Sequence, residues 1–469
     1  MAGRQDDTIA AISTAPGEGG IGIVRISGTR ALPIAAAIFR GKNKKPLAQS
    51  PSHTVHYGAV VTPGQRRGTR LRETAVDEVL LTVMRAPRTY TREDIVEISG
   101  HGGVVPLRRI LALVLKQGAR LAAPGEFTQR AFLNGRIDLA QAEAVLQIVQ
   151  ATSDAALDAA VSRLHGALSR RIERLRRGLI EMLAPWEALL DFPEEGVHPE
   201  SRRKLGQALR AADKTIGALL EHADQGILLN QGIRVALAGR PNVGKSSLMN
   251  ALLNYERVIV TDVSGTTRDI VEELIVLDGV PVRLADTAGI MDSGCAITRE
   301  SVRRTVSFLG QADLVLLVLD ATSPVSAQAV PEDALPTGKP VVVLVNKIDV
   351  RPFNQPAARQ AFPGRPVIGV SALTGEGLPD VKKQIQRLFT RRIARAAVAP
   401  LIASVRQKNA LESCRQSVRQ ALAALADGQS EECLVFEVRE AVRRLGEITG
   451  ESAGEDILDA VFSRFCIGK

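Results

Sequence analysis

Aromatic side chains make up only 3% of the 469 residues, with one Trp and three Tyr. Stacking platforms for single-stranded nucleic acid need several exposed rings, so any RNA contact is expected to be electrostatic. The four cysteines, Cys295, Cys414, Cys433 and Cys466, include no C-x-x-C pair, a spacing that fits neither a disulfide framework nor a zinc site. Apolar runs are strand-length, such as LVLLVL at 314 to 319, and none approaches the ~20 residues of a membrane span. The start, MAGRQDDTIAAISTAPGEGG, has acidic residues and no sustained apolar core, which predicts neither signal nor transit peptide and a cytoplasmic protein with no membrane partner. Neither charge sign dominates: 60 basic and 51 acidic residues leave +9, which allows a polyanionic partner without demanding one.

What is present is ample apolar material, 45% of the chain, enough for two or three cored domains. From Thr8 to about Leu133, short β-type runs (IGIVRI, HTVHYGAVV, AVDEVLLTVM, DIVEIS) alternate with helical ones such as PLRRILALVLKQG, which predicts an α+β domain. From Asp138 the period becomes helical, with Leu157, Val161, Leu164, Leu168, Ile172, Leu175 and Leu179 at steps of three and four. Arginines fill the other faces of that stretch; they could contact RNA, but a solvated helix face is the preferred reading. Between about Gly232 and Arg392, β-rich runs alternate with helices, and Asp278-Gly279 reads as a hairpin turn; the sheet is predicted to be mostly parallel with one antiparallel edge. Helical periodicity then returns at Leu411, Cys414, Val418, Leu422 and Leu425, and at Val438, Val442 and Leu445. The architecture expected is an α/β domain inserted into a helical one.

GRPNVGKS at 239 to 246 follows a strand and precedes SLMNALL, the context a phosphate-binding loop requires. Its glycines let the backbone N–H groups of Asn242, Val243, Gly244, Ser246 and Ser247 approach phosphates, Lys245 offers a point charge, and the Ser246 hydroxyl can ligate Mg²⁺. In DTAG, residues Asp286, Thr287, Ala288 and Gly289, the carboxylate can hold the Mg²⁺ shell and the last N–H can meet the γ-phosphate. NKID ends a later strand: Asn346 and Lys347 precede Asp349, whose carboxylate can accept two parallel hydrogen bonds from guanine N1–H and the exocyclic amine, a donor pair adenine lacks. Ser371 and Ala372 resemble the short loop that contacts guanine O6 through backbone. TDVSGTTRD at 261 to 269 sits where a switch loop belongs, with Thr267 as the second protein ligand to Mg²⁺. These motifs in this order predict a GTPase domain.

GRPNVGKSSLMNALL, GTTRD, DTAG and the final FCIGK resemble the tRNA-modification GTPases of the MnmE or TrmE family, and the match runs through APGEGGIGIVRISG, EDIVEISGHGG and PGEFTQRAFLNGRIDLAQAEA. The resemblance implies a multidomain α/β plus α+β chain: residues 1–133 a folate-binding and dimerising N-terminal domain, 134–231 and 394–469 the two parts of a discontinuous helical domain, and 232–393 an inserted Ras-like G domain with a P-loop. It further implies a homodimer, an FAD-containing partner of the MnmG type in a heterotetramer or larger assembly, and modification of the wobble uridine of certain tRNAs with an aminomethyl-type group at carbon 5. By motif, Arg25, Glu97, Arg136 and Lys469 would contact 5-formyl-tetrahydrofolate or a related folate; a surface ion pair is the plain alternative for each. Asn242, with Thr261, Val263 and Thr266, matches the family's K⁺ site, although Asn242 also suits a turn. Cys466 near a folate invites a nucleophile role, but a thiol is mostly protonated at neutral pH unless a cation lowers its pKa, so packing is the preferred reading. His101 in GHGG reads as structural.

Two positions depart from the family. Glu18 stands in P-G-E-G where the family shows Arg, and Arg136 replaces a common Lys. Switch II departs further. Ile290 follows DTAG where many GTPases have a water-orienting Gln, and gapless alignment puts Thr298 where the family has a Glu. Glu300 is a nearby carboxylate that can substitute. The expectation is a slowed GTPase; the alternative is a GTP-binding switch or scaffold with weak hydrolysis, for example in ribosome assembly.

Overall fold

The computed structural model describes residues 7–42, 46–62, 66–67, 70–71, 73–191, 202–255, 272–277, 280–286, 310, 312–324, 328, 338–393 and 401–469. The chain divides into two compact units, one of Met1–Leu146, Leu164–Arg177 and Val442–Lys469, the other of Gln147–Arg163 and Gly178–Ala441.

The first unit holds a sheet built from β1 (Ile9–Ile12), β2 (Gly19–Ser27), β3 (Phe39–Gly41), β4 (Thr54–Thr62), β7 (Thr74–Met84), β8 (Ile95–Gly102) and β9 (Arg120–Leu121), ordered β3-β4-β7-β8-β2-β1-β9. A two-stranded ribbon, β5 (Arg66–Arg67) with β6 (Arg70–Leu71), stands apart from it. Pairing is antiparallel except between β1 and β9. Helices Ala31–Ile38 and Val104–Lys116 bury Ile34, Ile38, Leu107, Ile110 and Val114 against Val24, Ile26, Leu81, Val96 and Ile98. Because successive strand side chains point to opposite faces, the residues between those core positions, Arg25 and Glu97, turn to the other face. The β2/β8 register sets them directly opposite each other.

The second unit contains a six-stranded sheet of β10 (Ile233–Ala238), β11 (Glu272–Leu277), β12 (Val280–Asp286), β13 (Leu314–Asp320), β14 (Val341–Asn346) and β15 (Val367–Gly369), ordered β11-β12-β10-β13-β14-β15. Only β11 is antiparallel, as the hairpin turn predicts. β14 is buried throughout and β13 nearly so, because apolar layers cover both faces of the parallel sheet. In the same unit, helix Val405–Ala426 buries Leu411, Cys414 and Val418, the stripe expected from the period. Burial pushes the Cys414 thiol up to about 12, which leaves it protonated and inert at neutral pH. Asp213 of helix Arg202–Glu221 accepts from Arg415 and Arg419, joining the two helices.

One helical reading needs correcting. Leu157 and Val161 are each 38% exposed, because the period breaks between helices Asp154–Leu164 and Ala167–Asp191, where Gly166 takes φ +80°. The first of these helices buries the small residues Ala156, Ala159 and Ala160 instead, while Leu168, Ile172 and Leu179 of the second are buried as expected.

Candidate nucleotide and anion sites

β10 runs into the loop 239–244, which opens helix Lys245–Tyr255. The loop depends on residues that tolerate unusual backbone. Gly239 has φ +151°, and a Cβ there would sit 2.3 Å from the Val318 carbonyl oxygen; at Gly244, φ is +91° and the same atom would meet Asn346 Nδ2 at 2.4 Å. Asn242 also takes positive φ, +65°. Lys245 is 5% exposed, and its ammonium donates to the carbonyls of Gly239 and Arg240 at 3.1 and 3.0 Å, so it is held over the inner side of the loop. Ser246 and Ser247 stand exposed in the first turn of the helix, the end at which the helix dipole favours an anion.

The end of β14 is tied to this loop by side chains. Asn346 Nδ2 donates to the Val243 carbonyl at 2.9 Å while its Oδ1 accepts from the Ala372 N–H at 3.0 Å. Lys347 Nζ donates to the Asn242 carbonyl at 3.0 Å and to Asp320 Oδ2 at 2.6 Å. Burial opposes charge on Asp320, but hydrogen bonds from Lys347 and Thr322 outweigh it and hold the carboxyl below its ordinary range. Ser371 is fully buried and its hydroxyl accepts from Thr374 N–H. Gly377 closes that loop so tightly that a Cβ would lie 2.0 Å from the Gly369 carbonyl oxygen. Asp349 is exposed beside these groups in sequence. The structure thus brings Asn242, Val243, Gly244 and Lys245 together with Asn346, Lys347 and Ala372. Asp320 belongs to this cluster and was not anticipated; its signal is an acid closing the apolar run LVLLVLD.

The backbone of Asp286 ends β12, in register with Leu237 of β10. Thr261, Val263, Thr266, Thr267, Thr287, Ala288, Gly289, Ile290, Cys295, Thr298 and Glu300 lie outside the described residues.

The second site lies in the first unit. Arg25 Nε donates to Glu97 Oε1 at 2.8 Å, and its Nη1 donates to the Gly468 carbonyl at 3.3 Å. The same guanidinium lies 5.6 Å from the Phe127 ring centroid and 5.9 Å from that of Tyr90, whose ring also meets the Arg136 guanidinium at 4.7 Å. The Tyr90 hydroxyl is hydrogen-bonded to Thr128 Oγ1 at 2.9 Å. The C-terminal tail reaches this place by an antiparallel bridge between Pro124 and Ile467 and a bond from Gly125 N–H to the Cys466 carbonyl. Gly468 takes φ +96°, and a Cβ would lie 2.3 Å from the Ile12 carbonyl oxygen. Lys469 is half-buried and Cys466 exposed.

Arg25, Glu97, Arg136 and the tail therefore converge, although they are scattered from residue 25 to residue 469. The donor set, two guanidiniums and a carboxylate beside aromatic rings, fits a ligand carrying acids and an N–H-bearing ring. The buried Ser13 hydroxyl, next to Gly468, has no hydrogen-bond partner among the described residues, which suits such a ligand. Tyr90, Phe127 and Ser13 were missed from the sequence; Tyr90 is conspicuous only as one of three tyrosines. Glu18 is exposed. His101, 74% exposed, is hydrogen-bonded through Nδ1 to Asp77 Oδ1 at 2.6 Å, and that bond raises its pKa.

Elsewhere in this unit Arg130, 8% exposed, is bound by Asp7, Glu93 and Glu126, and Arg120 by Asp7 and Glu126. Burial works against the charge on Asp7 and Glu126, yet the two arginines keep both carboxyls below their ordinary range.

Comparison with known proteins bears on both sites. The family model described as the GTP-binding protein TrmE N-terminus matches residues 8–136, and that of the MnmE helical domain matches residues 139–466. A tRNA modification GTPase MnmE from Symbiobacterium thermophilum is 47% identical, covering 99% of this chain and all of the relative; that of Heliobacterium modesticaldum is 45% identical with 99% of each chain covered. The Bacillus subtilis protein of the same name is 41% identical over 99% of this chain and 100% of its own. The two models together cover nearly the whole chain and these relatives align with it from end to end, so the chain belongs to the tRNA modification GTPase MnmE family.

Proposed function

We propose that this protein hydrolyses GTP to GDP and phosphate and that the cycle drives modification of the wobble uridine of certain tRNAs, at carbon 5, together with an FAD-containing partner. The observation that carries the reading is the linkage of Asn346 and Lys347 to the carbonyls of Val243 and Asn242, which couples the loop for phosphates to the strand end that reads the base. Asp349 selects guanine by accepting from its paired donors; Lys245, in place of its loop carbonyls, donates to the β and γ oxygens. Ser246 and Thr267 would hold Mg²⁺, with Asp286 in its outer shell, and Asn242, Thr261, Val263 and Thr266 would hold K⁺; these oxygen donors suit hard cations, which supply positive charge beside the phosphates. Arg25, Glu97, Arg136 and Lys469 would bind the folate, with the aromatic rings holding the guanidiniums in place. The protein acts in the cytoplasm as a homodimer.

Hydrolysis is slow for this family, because the neutral Thr298 hydroxyl replaces a carboxylate and Ile290 cannot orient water. The test is single-turnover hydrolysis in KCl and in NaCl for the native chain, Thr298→Glu and Glu300→Ala. Faster cleavage in Thr298→Glu with little change in Glu300→Ala supports the reading. Loss of cleavage in Glu300→Ala alone shows that Glu300 has taken the role. Equal rates in the two salts remove the K⁺ site. A GTP-dependent switch without chemistry on tRNA is the second reading, favoured by Ile290 and Thr298. Mass spectrometry of wobble nucleosides from cells lacking the protein separates the two.

A further inference from the structure

The helix Ala167–Asp191 carries two populations of arginine. Arg176 is 22% exposed and bound to Glu451 at 2.7 Å, a pair that ties the helix to the C-terminal part of the first unit. Arg170, Arg171, Arg174 and Arg177 are exposed. Arg177 meets Glu173 at 3.3 Å, but Arg170, Arg171 and Arg174 have no carboxylate partner among the described residues. Arg170 and Arg174 spend one donor each on the carbonyls of His165 and Arg170, and their remaining donors face outward.

Arg170, Arg174 and Arg177 recur at steps of four and three, so they line one stripe about 10 Å long, with Arg171 on its flank. Like charges at these spacings repel and weaken a helix. The three members without a carboxylate partner, Arg170, Arg171 and Arg174, therefore work against the fold, whereas the carboxylate-bound arginines of the same unit support it. A cluster that folding does not repay fits a partner that neutralises it. Guanidinium forks match phosphate oxygens in pairs, and the scarcity of aromatics leaves electrostatic contact as the available mode. We infer that Arg170, Arg171, Arg174 and Arg177 form a contact surface for the phosphate backbone of the tRNA. This rests on the reading that tRNA is the substrate.

The test is binding of an in vitro transcribed tRNA to the full chain across a salt series, for the native protein and for the combined variant Arg170→Gln, Arg171→Gln, Arg174→Gln, Arg177→Gln. A control variant, Arg108→Gln, Arg109→Gln, Lys116→Gln, removes exposed cations from another helix of the same unit. The expected result is weaker binding by tenfold or more, a salt slope reduced by about 3, and a melting temperature equal to or above native, since repulsion is relieved. The control should leave the slope within about 1 of native. An unchanged slope in the folded stripe variant overturns the surface while leaving tRNA as substrate. An equal loss in the control overturns it as general charge attraction. No binding by the native chain overturns both the surface and the tRNA reading. Should the stripe variant fail to fold, Arg170→Gln with Arg174→Gln alone gives the same decision at half the slope change.

Discussion

The phosphate loop and the tail-closed pocket are built in opposite ways. The loop is backbone: Gly239, Asn242 and Gly244 take positive φ so that N–H groups converge, and every member lies within eight consecutive residues. The pocket is side chain: Arg25 from β2, Glu97 from β8, Arg136 after helix Glu126–Leu133 and a carbonyl from Gly468 meet through sheet register and tail docking. A local site survives as a written motif, while an assembled one exists only once the chain has folded.

Swapping a single methyl into each site breaks the comparison most sharply. Gly239→Ala should reduce GTP affinity roughly 10²-fold with folate binding intact, and Gly468→Ala should do the reverse, because each added Cβ meets a carbonyl oxygen at 2.3 Å in a left-handed backbone. Titration calorimetry with each ligand checks both, and a common loss of both ligands in either variant would break the separation of the sites. Of similar size, Asp349→Asn should turn preference from GTP to xanthosine triphosphate by about 10²-fold, since the amide offers a donor where the carboxylate offered none. Competition binding reads it, and an unchanged preference removes Asp349 as the base reader.

A smaller effect concerns the rings. Tyr90→Leu should weaken folate binding about fivefold to tenfold through loss of the face shared by Arg25 and Arg136, with Tyr90→Phe near native. Equal loss in both variants would point to the hydroxyl bond with Thr128 instead.

The first unit should also respond to acid. Asp7 and Glu126 have pKa values depressed below 3.8 and 4.5, so the stability they contribute is fully present above those ordinary values and is lost as pH falls below them through the lower folded-state values. Hydrogen exchange at descending pH should show the sheet of the first unit opening from about pH 4.5 downward, and Glu126→Gln should flatten that dependence. The smallest effect is at His101. Its pKa lies above 6.5, so the favourable pairing with Asp77 is complete below that value and fades as pH rises through the raised one. An NMR titration should show Asp77→Asn returning it toward 6.5.

The division between what was legible and what was not follows the same physics. Period-two and period-3.6 patterns revealed the α+β unit and the mostly parallel sheet with its hairpin edge, since burial of one face leaves that pattern in any sequence. They failed at Leu157 and Val161, where alanines rather than large residues form the buried face, so that hydrophobic size misled. GRPNVGKS and NKID could be read unaided because phosphate and guanine recognition need particular backbone and carboxylate geometry at fixed short spacing. Asp320 could not, because nothing in LVLLVLD says that its acid will meet Lys347, 27 residues on. Arg25, Glu97 and Arg136 were nameable only through family resemblance. Their convergence with Tyr90, Phe127, Ser13 and Gly468 was decided by the antiparallel register and the return of the tail, contacts that span up to 443 residues of chain. Short-range chemistry is written in the order of residues; long-range juxtaposition is set by which surfaces the fold buries together.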